Sequence, residues 1–118
     1  MATVSSHTLN SVDGTHAGGI SVTLSRIEAD GRRTTIFETR TDEGGRLSQN
    51  IDAAEITTGS SFEMVLQTGE YFKAMGLPSA GMTIMREVVV RLEMPDPEAR
   101  YHIPLMLAPN SYSVWWSS

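Results

Sequence analysis

The sequence predicts an all-β domain, a two-sheet sandwich of seven to eight short strands with one short helix near residues 68–76. Residues 20–26 alternate strictly between apolar and polar side chains, a pattern typical of a strand with one buried face. Glycine or proline residues separate the apolar runs at fairly regular spacing. Residues 68–76 are the one segment whose pattern fits a helix as well as a strand.

The first half of the chain predicts a strand followed by a hairpin. A short run at 3–9 is rich in threonine and apolar residues, and turn residues follow at 10–14. The alternating strand at 20–26 leads through an Asp-Gly pair at 30–31 to a second strand at 33–41. Asp-Gly between two such runs is a hairpin signal.

The middle of the chain predicts a loop, a short extended piece and a further strand. Residues 42–45 read Asp-Glu-Gly-Gly, and Arg46 begins the extended piece that follows. Residues 50–60 are polar and are expected to be irregular. Residues 61–67 predict a strand with Phe62 in the core.

One helix is predicted directly after that strand. Thr68 can cap it, apolar residues follow at helical spacing, and Gly76 ends it. Residues 85–94 then predict a long β-branched strand, which ends at the Pro-Asp-Pro of 95–97.

The last eighteen residues predict a terminal hairpin. Residues 101–107 alternate and end apolar, Pro109-Asn110 is a turn signal, and 111–116 resume a strand-like run. This hairpin carries one histidine at its start and both tryptophans of the chain at its end.

Composition restricts the class of protein. The 118 residues suit one domain, spanning 1–118. A net charge of −5 argues against a nucleic-acid or anionic-membrane surface. No apolar run approaches the roughly 20 residues that span a bilayer and no leader is evident, so a cytoplasmic protein is expected. Because cysteine is absent, disulfides, thiol nucleophiles and thiolate metal sites are excluded.

Several local motifs occur in an order that matches one family. They are Ser6–Ser11 with Gly14, Asp42–Arg46, Thr68–Phe72, and Tyr101–Leu105 through Ser111–Ser113. With them the chain resembles the 5-hydroxyisourate hydrolases, the enzyme branch of the transthyretin-related proteins. The resemblance covers essentially the whole chain, and its most specific parts are Thr-Gly-Glu-Tyr-Phe and Tyr-His-Ile-Pro-Leu.

The resemblance implies a site and an assembly. Carried over by motif, the catalytic residues are His7, Arg46 and His102. The family further implies a transthyretin-like, eight-stranded sandwich that forms a homotetramer, with active sites at a subunit interface. It implies a small-molecule substrate and requires neither a metal nor a cofactor.

Departures from the family concentrate at the C-terminus. The usual family ending is Tyr-Arg-Gly-Ser, whereas this chain ends Trp-Trp-Ser-Ser. The resemblance implies that the C-terminal tetrapeptide of one subunit helps to form the pocket, so Trp115, Trp116 and Ser118 are the expected substrate-binding residues. Because strand neighbours point to opposite faces, one tryptophan is expected to line the pocket and the other to pack behind it. Asn10 stands where the family usually has Asp. His16 stands where it usually has Pro, in a turn, and is expected at the surface.

These residue types suit hydrolysis of a ring amide. Histidine titrates near working pH, with an unperturbed pKa of about 6.5, and can activate water or protonate a leaving nitrogen. Arginine stays charged and can stabilise a developing oxyanion. No serine occurs in a Gly-x-Ser-x-Gly context, so no acyl-enzyme is proposed.

Structural readings of the same residues stay open. His7 could be a histidine on a sheet face bonded to backbone, and Arg46 a solvated loop arginine. His102 lies in an otherwise apolar strand, where a buried imidazole needs partners. A metal site built on the histidines is a minor reading, because they lack local ligand spacing.

The terminal tryptophans suggest a substrate. Trp116 in place of arginine removes hydrogen-bond donors and adds apolar surface. This favours an N-methylated 5-hydroxyisourate, above all the trimethyl compound of caffeine breakdown, since each buried methyl adds about 0.8 kcal/mol. One alternative is an ordinary 5-hydroxyisourate hydrolase of urate degradation. Another is a non-catalytic, transthyretin-like binding protein, against which the retained catalytic set argues.

Overall fold

The computed structural model describes residues 1–117 and confirms a mostly β fold of two sheets with one short α-helix. The strands are β1 (Ala2–Asn10), β2 (Thr15–His16), β3 (Ser21–Ile27), β4 (Arg33–Arg40), β5 (Arg46–Ile51), β6 (Ser61–Leu66), β7 (Val88–Leu92), β8 (Arg100–His102), β9 (Leu105–Ala108) and β10 (Ser111–Val114). The helix α1 spans Thr68–Ala74, and a 3₁₀ turn spans Ala53–Glu55.

Strand β1 lies at the centre of the first sheet. On one side it pairs antiparallel with β5 over residues 2–7 and with β2 at residues 9–10. On the other side it pairs in parallel with β8 and then with β9, which continue one register and are separated by Ile103 and Pro104. Strand β10 pairs antiparallel with β9 at the sheet edge.

The second sheet has the order β4-β3-β6-β7, with every neighbouring pair antiparallel. The predicted Asp-Gly hairpin is present as β3 and β4. If β8 and β9 are taken as one interrupted strand and the two-residue β2 is left aside, residues 1–117 form four strands in each sheet.

The core lies between the two sheets and follows from the alternation of each strand. In β1, every second residue from Ala2 to Asn10 is buried, because successive side chains point to opposite faces. The largest fully buried apolar side chains include Phe62, Phe72, Ile20, Leu24, Met64 and Leu105. Each of these contributes about 1.5–3 kcal/mol by leaving water. The face of β1 that bears Ser5 and His7 is thereby left outside the core.

The structure corrects three predicted boundaries. The strand predicted at 85–94 is shorter, Val88–Leu92, because β7 pairs only with residues 62–66 of β6. Thr68 is the first helical residue rather than the cap, which is Gln67 without a side-chain bond. Strand β10 ends at Val114 and not at residue 116.

Within residues 1–117, no helix is long and apolar enough to cross a membrane. The helix α1 has seven residues.

Candidate active site

The three residues carried over by motif lie on the outer face of the first sheet. Ser5 and His7 alternate with the buried residues of β1 and so point away from the core. Arg46 is the register partner of His7 on β5, and His102 is the register partner of Ser5 on β8. Three strands distant in sequence therefore bring two imidazoles and one guanidinium to one patch.

His102 is fixed by two contacts. Its Nδ1 lies 2.8 Å from Oγ of Ser5, a hydrogen bond whose direction depends on the ring tautomer. Its backbone pairs with that of Ser117 through two hydrogen bonds, at 2.8 and 3.2 Å. The ring is thus oriented through Nδ1, and the Ser5 bond does not use Nε2.

Arg46 is placed by the turn between β4 and β5. The Arg46 N–H donates to Oδ1 of Asp42 at 2.9 Å, and the Asp42 N–H donates to the Arg46 carbonyl at 2.9 Å. Gly45 has a left-handed φ of +76° just before the strand begins, a conformation that favours glycine. Arg46 is exposed, and none of the ion pairs formed within residues 1–117 includes it. Its guanidinium is therefore available to a ligand.

The surroundings of His7 keep its imidazole neutral. Burial lowers the pKa of His7, and the positive charge of Arg46 lowers it further. His16 and His102 act in the same direction, whereas a hydrogen bond with the Gly44 backbone acts against them. A histidine with a lowered pKa is unprotonated at neutral pH and can accept a proton.

His16 is exposed, as predicted, but it is not an isolated turn residue. It lies on β2 with Leu9 as its register partner. Its Nδ1 is 3.0 Å from Nε2 of His7, and the two ring centroids are 5.1 Å apart. The turn that carries His16 folds back on β1, so His16 lies beside His7 although it follows it by nine residues.

The register separates the two tryptophans. Ser117 is the backbone partner of His102, and the Trp115 N–H donates to the carbonyl of Pro104 at 3.3 Å. Residues directly opposite each other in an antiparallel pair share a face. Trp115 therefore lies on the face of His102, and Trp116 points to the other face.

Both tryptophans are accessible in the single chain. Trp115 is 44% exposed and Trp116 is 61% exposed. The third residue expected to contact substrate, Ser118, lies outside the described residues. The backbone register places Trp115 on the face of His102, and substrate contact by either tryptophan stays a prediction.

A groove of about 440 Å³ opens beside this patch. Its lining includes Ser5, Arg40, Asp42, Arg46, Gln49 and His102. That volume lies within the range of small-molecule sites. Four further grooves along residues 1–117 are not lined by histidine.

Within residues 1–117, no group of three or more His, Asp or Glu side chains is close enough to hold a metal ion. His7 and His16 form a pair, and His102 is oriented separately by Ser5.

Sequence reasoning missed two members of this patch. Ser5 stands two residues before His7 on one strand, so the period of two already indicates that they share a face. Its partner His102 is 97 residues away, and no local signal announces that contact. The turn residues around His16 predict only a surface position, and the pairing of β2 with β1 is what brings it to His7.

Comparison with known proteins identifies the family of this chain. A model of the HIUase/Transthyretin family matches residues 4–116. A 5-hydroxyisourate hydrolase of Deinococcus radiodurans is 31% identical, over 98% of this chain and 95% of that protein. A 5-hydroxyisourate hydrolase of Pseudomonas aeruginosa is 29% identical, over 100% of this chain and 93% of that protein.

Comparison with solved structures also supports the transthyretin-like fold. The 5-hydroxyisourate hydrolase of Klebsiella pneumoniae superposes with a TM-score of 0.78 at 26% identity, over 100% of both chains. Transthyretin from Sparus aurata, with a TM-score of 0.77 at 24% identity over 97% of this chain and 95% of that one, supports the fold alone. The predictions of a transthyretin-like fold and of an enzyme of the hydrolase class are confirmed. This chain belongs to the HIUase/Transthyretin family.

Proposed function

We propose that this protein hydrolyses 5-hydroxyisourate, the compound named in its relatives, by adding water to a ring amide. The observation that carries the proposal is the convergence of His7, Arg46 and His102 on one sheet face beside a small-molecule groove. The unmethylated substrate was the alternative reading of the sequence, and the relatives favour it over the methylated one.

The residues divide the chemistry as follows. His7, neutral because its pKa is lowered, takes a proton from water as the oxygen attacks the amide carbon. Arg46 stabilises the negative charge that develops on the carbonyl oxygen. The C–N bond then breaks, and His102, oriented through Nδ1 by Ser5, supplies the proton to the leaving nitrogen. The proton held by His7 returns to His102 through solvent, which restores both histidines.

Trp115 supports a second candidate substrate. Trp116, which stands where the family has arginine, lies on the opposite face, so the support that remains is the broad apolar indole of Trp115 on the face of His102. N-methylated 5-hydroxyisourates, the trimethyl compound first, offer fewer N–H donors and more carbon. They remain the specific substrate proposal that Trp115 motivates.

A substrate-pair assay is expected to show hydrolysis of freshly generated 5-hydroxyisourate well above its spontaneous decay. The decay of the unmethylated and trimethyl compounds is followed by ultraviolet absorbance with and without enzyme. A higher kcat/KM for the trimethyl compound would replace the main proposal with the second candidate. Acceleration of neither compound would leave the non-catalytic binding protein as the better reading.

The two tryptophans provide matched variants for that assay. Trp115→Ala is expected to raise KM about tenfold, since a stacked indole contributes roughly 1–2 kcal/mol. Trp116→Ala, on the opposite face, is expected to lower kcat/KM less than Trp115→Ala does. An equal loss in both variants would contradict the assignment of Trp115 to the site.

We also propose that the enzyme is a homotetramer whose sites lie at a subunit interface. Exposed apolar side chains on β9, β10 and the following residues support this, namely Met106, Tyr112, Val114, Trp115 and Trp116. They lie at one edge of the first sheet, on both of its faces, and exposed aromatic and methionine side chains are enriched at interfaces. Light scattering after size exclusion is expected to give about four times the 12.9 kDa chain mass. A monomer at micromolar concentration would contradict it.

A further inference from the structure

His16 makes a direct contact with the proposed base. Nδ1 of His16 is 3.0 Å from Nε2 of His7, and the rings are tilted by 31°. At that distance the two nitrogens share one hydrogen bond, which requires that one of them carries the proton and the other accepts it. Because this bond uses Nε2 of His7, the nitrogen left to take a proton from water is Nδ1, and His7 then donates its Nε2–H to Nδ1 of His16.

The turn that carries His16 is held in place. The Gly14 N–H donates to the Asn10 carbonyl at 2.9 Å. Oδ1 of Asp13 accepts from the N–H and the hydroxyl of Thr15 at 3.0 and 2.7 Å. Strand β2 then pairs with β1, placing His16 opposite Leu9 and beside the outer face. The imidazole of His16 is thus presented to His7 by an ordered turn.

We propose that His16 is a positioning residue for His7, holding its ring and setting its tautomer through the Nδ1 to Nε2 hydrogen bond. The proposal rests on the proposed function, in which His7 is the base. A base held in one orientation gives a higher kcat than a freely rotating one, because the reacting atoms must be aligned within a fraction of an ångström. His16 is exposed on β2, whereas His7 is half-buried on the outer face of β1.

Protonation of the pair has a defined consequence. One added proton preserves the hydrogen bond, but two protonated rings would point N–H groups at each other and lose it. Three charged or titratable groups act on His7, namely Arg46 from β5, His16 from β2 and His102 from β8. All three lower the pKa of His7, so removal of His16 is expected to raise it.

The test compares His16→Ala with His16→Asn. His16→Ala is expected to lower kcat roughly tenfold with little change in KM, because the base loses its alignment. His16→Asn places an amide near the Nδ1 position and is expected to recover most of that loss. Neither variant can become charged, so in both the acidic limb of kcat/KM is expected to move to higher pH.

Val12→Ala is the matched control. Val12 lies in the same turn with an exposed side chain, and its replacement leaves the Asp13–Thr15 bonds and the imidazole pair intact, so kcat and the pH profile are expected to match the unmodified enzyme. If His16→Ala keeps the kcat, KM and acidic limb of the unmodified enzyme, the proposal is overturned.

A measurement that does not depend on turnover separates the two proposals. The ¹⁵N resonance of Nε2 in His7 is expected to shift in His16→Ala, since its hydrogen-bond partner is gone. If the unmodified protein does not accelerate 5-hydroxyisourate decay, the proposed function fails, and this resonance alone decides the His7–His16 bond. An unchanged resonance would overturn the bond whatever the activity.

Discussion

Replacing His102 by asparagine is expected to lower kcat by about 10²- to 10⁴-fold, the range for loss of a general acid or base. Asparagine can keep a polar atom near the Nδ1 position and so retain the contact with Ser5, which is 2.8 Å away in the unmodified protein. It has no counterpart of Nε2 and cannot titrate near neutral pH. The backbone pairing with Ser117 does not depend on the side chain, so the fold is expected to persist.

Steady-state kinetics on 5-hydroxyisourate measures the effect, and circular dichroism checks the fold. Ser5→Ala is the graded control, because it keeps the imidazole of His102 and removes only its orienting partner. We expect it to lose about tenfold in kcat, less than the asparagine variant. A folded His102→Asn enzyme with unchanged kcat would remove His102 from the mechanism.

Replacing Gly45 by alanine is expected to destabilise the protein by about 3 kcal/mol or more and to abolish activity. Gly45 has a φ of +76°, and a Cβ built there would lie 2.3 Å from the carbonyl oxygen of Thr8. That oxygen belongs to backbone and cannot move as a flexible side chain could. The Thr8 N–H also donates to the Gly45 carbonyl at 2.7 Å. Displacing this junction would separate His7, which precedes Thr8 in the chain, from Arg46, which follows Gly45.

Urea unfolding monitored by tryptophan fluorescence gives the change in the free energy of unfolding. Gly44→Ala is the matched control one residue earlier. Gly44 has no positive φ, and its added Cβ would meet only Oδ1 of the Asp42 side chain at 3.4 Å. The urea concentration at the midpoint of unfolding is expected to be nearly the same for Gly44→Ala as for the unmodified protein. A Gly45→Ala protein as stable as the Gly44→Ala protein would show that the turn can rearrange without cost.

The sequence predicts the elements of this fold well where patterns are local. The alternation at 20–26 and the Asp-Gly at 30–31 correctly predict β3 and its hairpin partner β4. The strand predicted at 85–94 is too long, because β-branched composition does not reveal where the neighbouring strand ends. Strand β7 pairs with β6 only over residues 88–92.

Local motifs likewise predict only part of the candidate site. Motif resemblance named His7, Arg46 and His102, and the structure places all three on one face; their catalytic roles stay a prediction. The same resemblance could not distinguish Trp115 from Trp116, since the choice depends on the register of the terminal segment against Pro104. It also left His16 as a surface residue, although that ring contacts His7.

By itself the sequence determined the sandwich class, the family and the residue types capable of hydrolysis, because alternation, turn chemistry and short motifs are encoded within a few neighbouring positions. Only the tertiary structure decided which side chains meet. Strand register joins Ser5 to His102 across 97 residues, returns His16 to His7 through an ordered turn, and places Trp115 but not Trp116 on the face of His102. These contacts depend on the pairing of distant strands, where a shift of one residue would move every side chain to the other face.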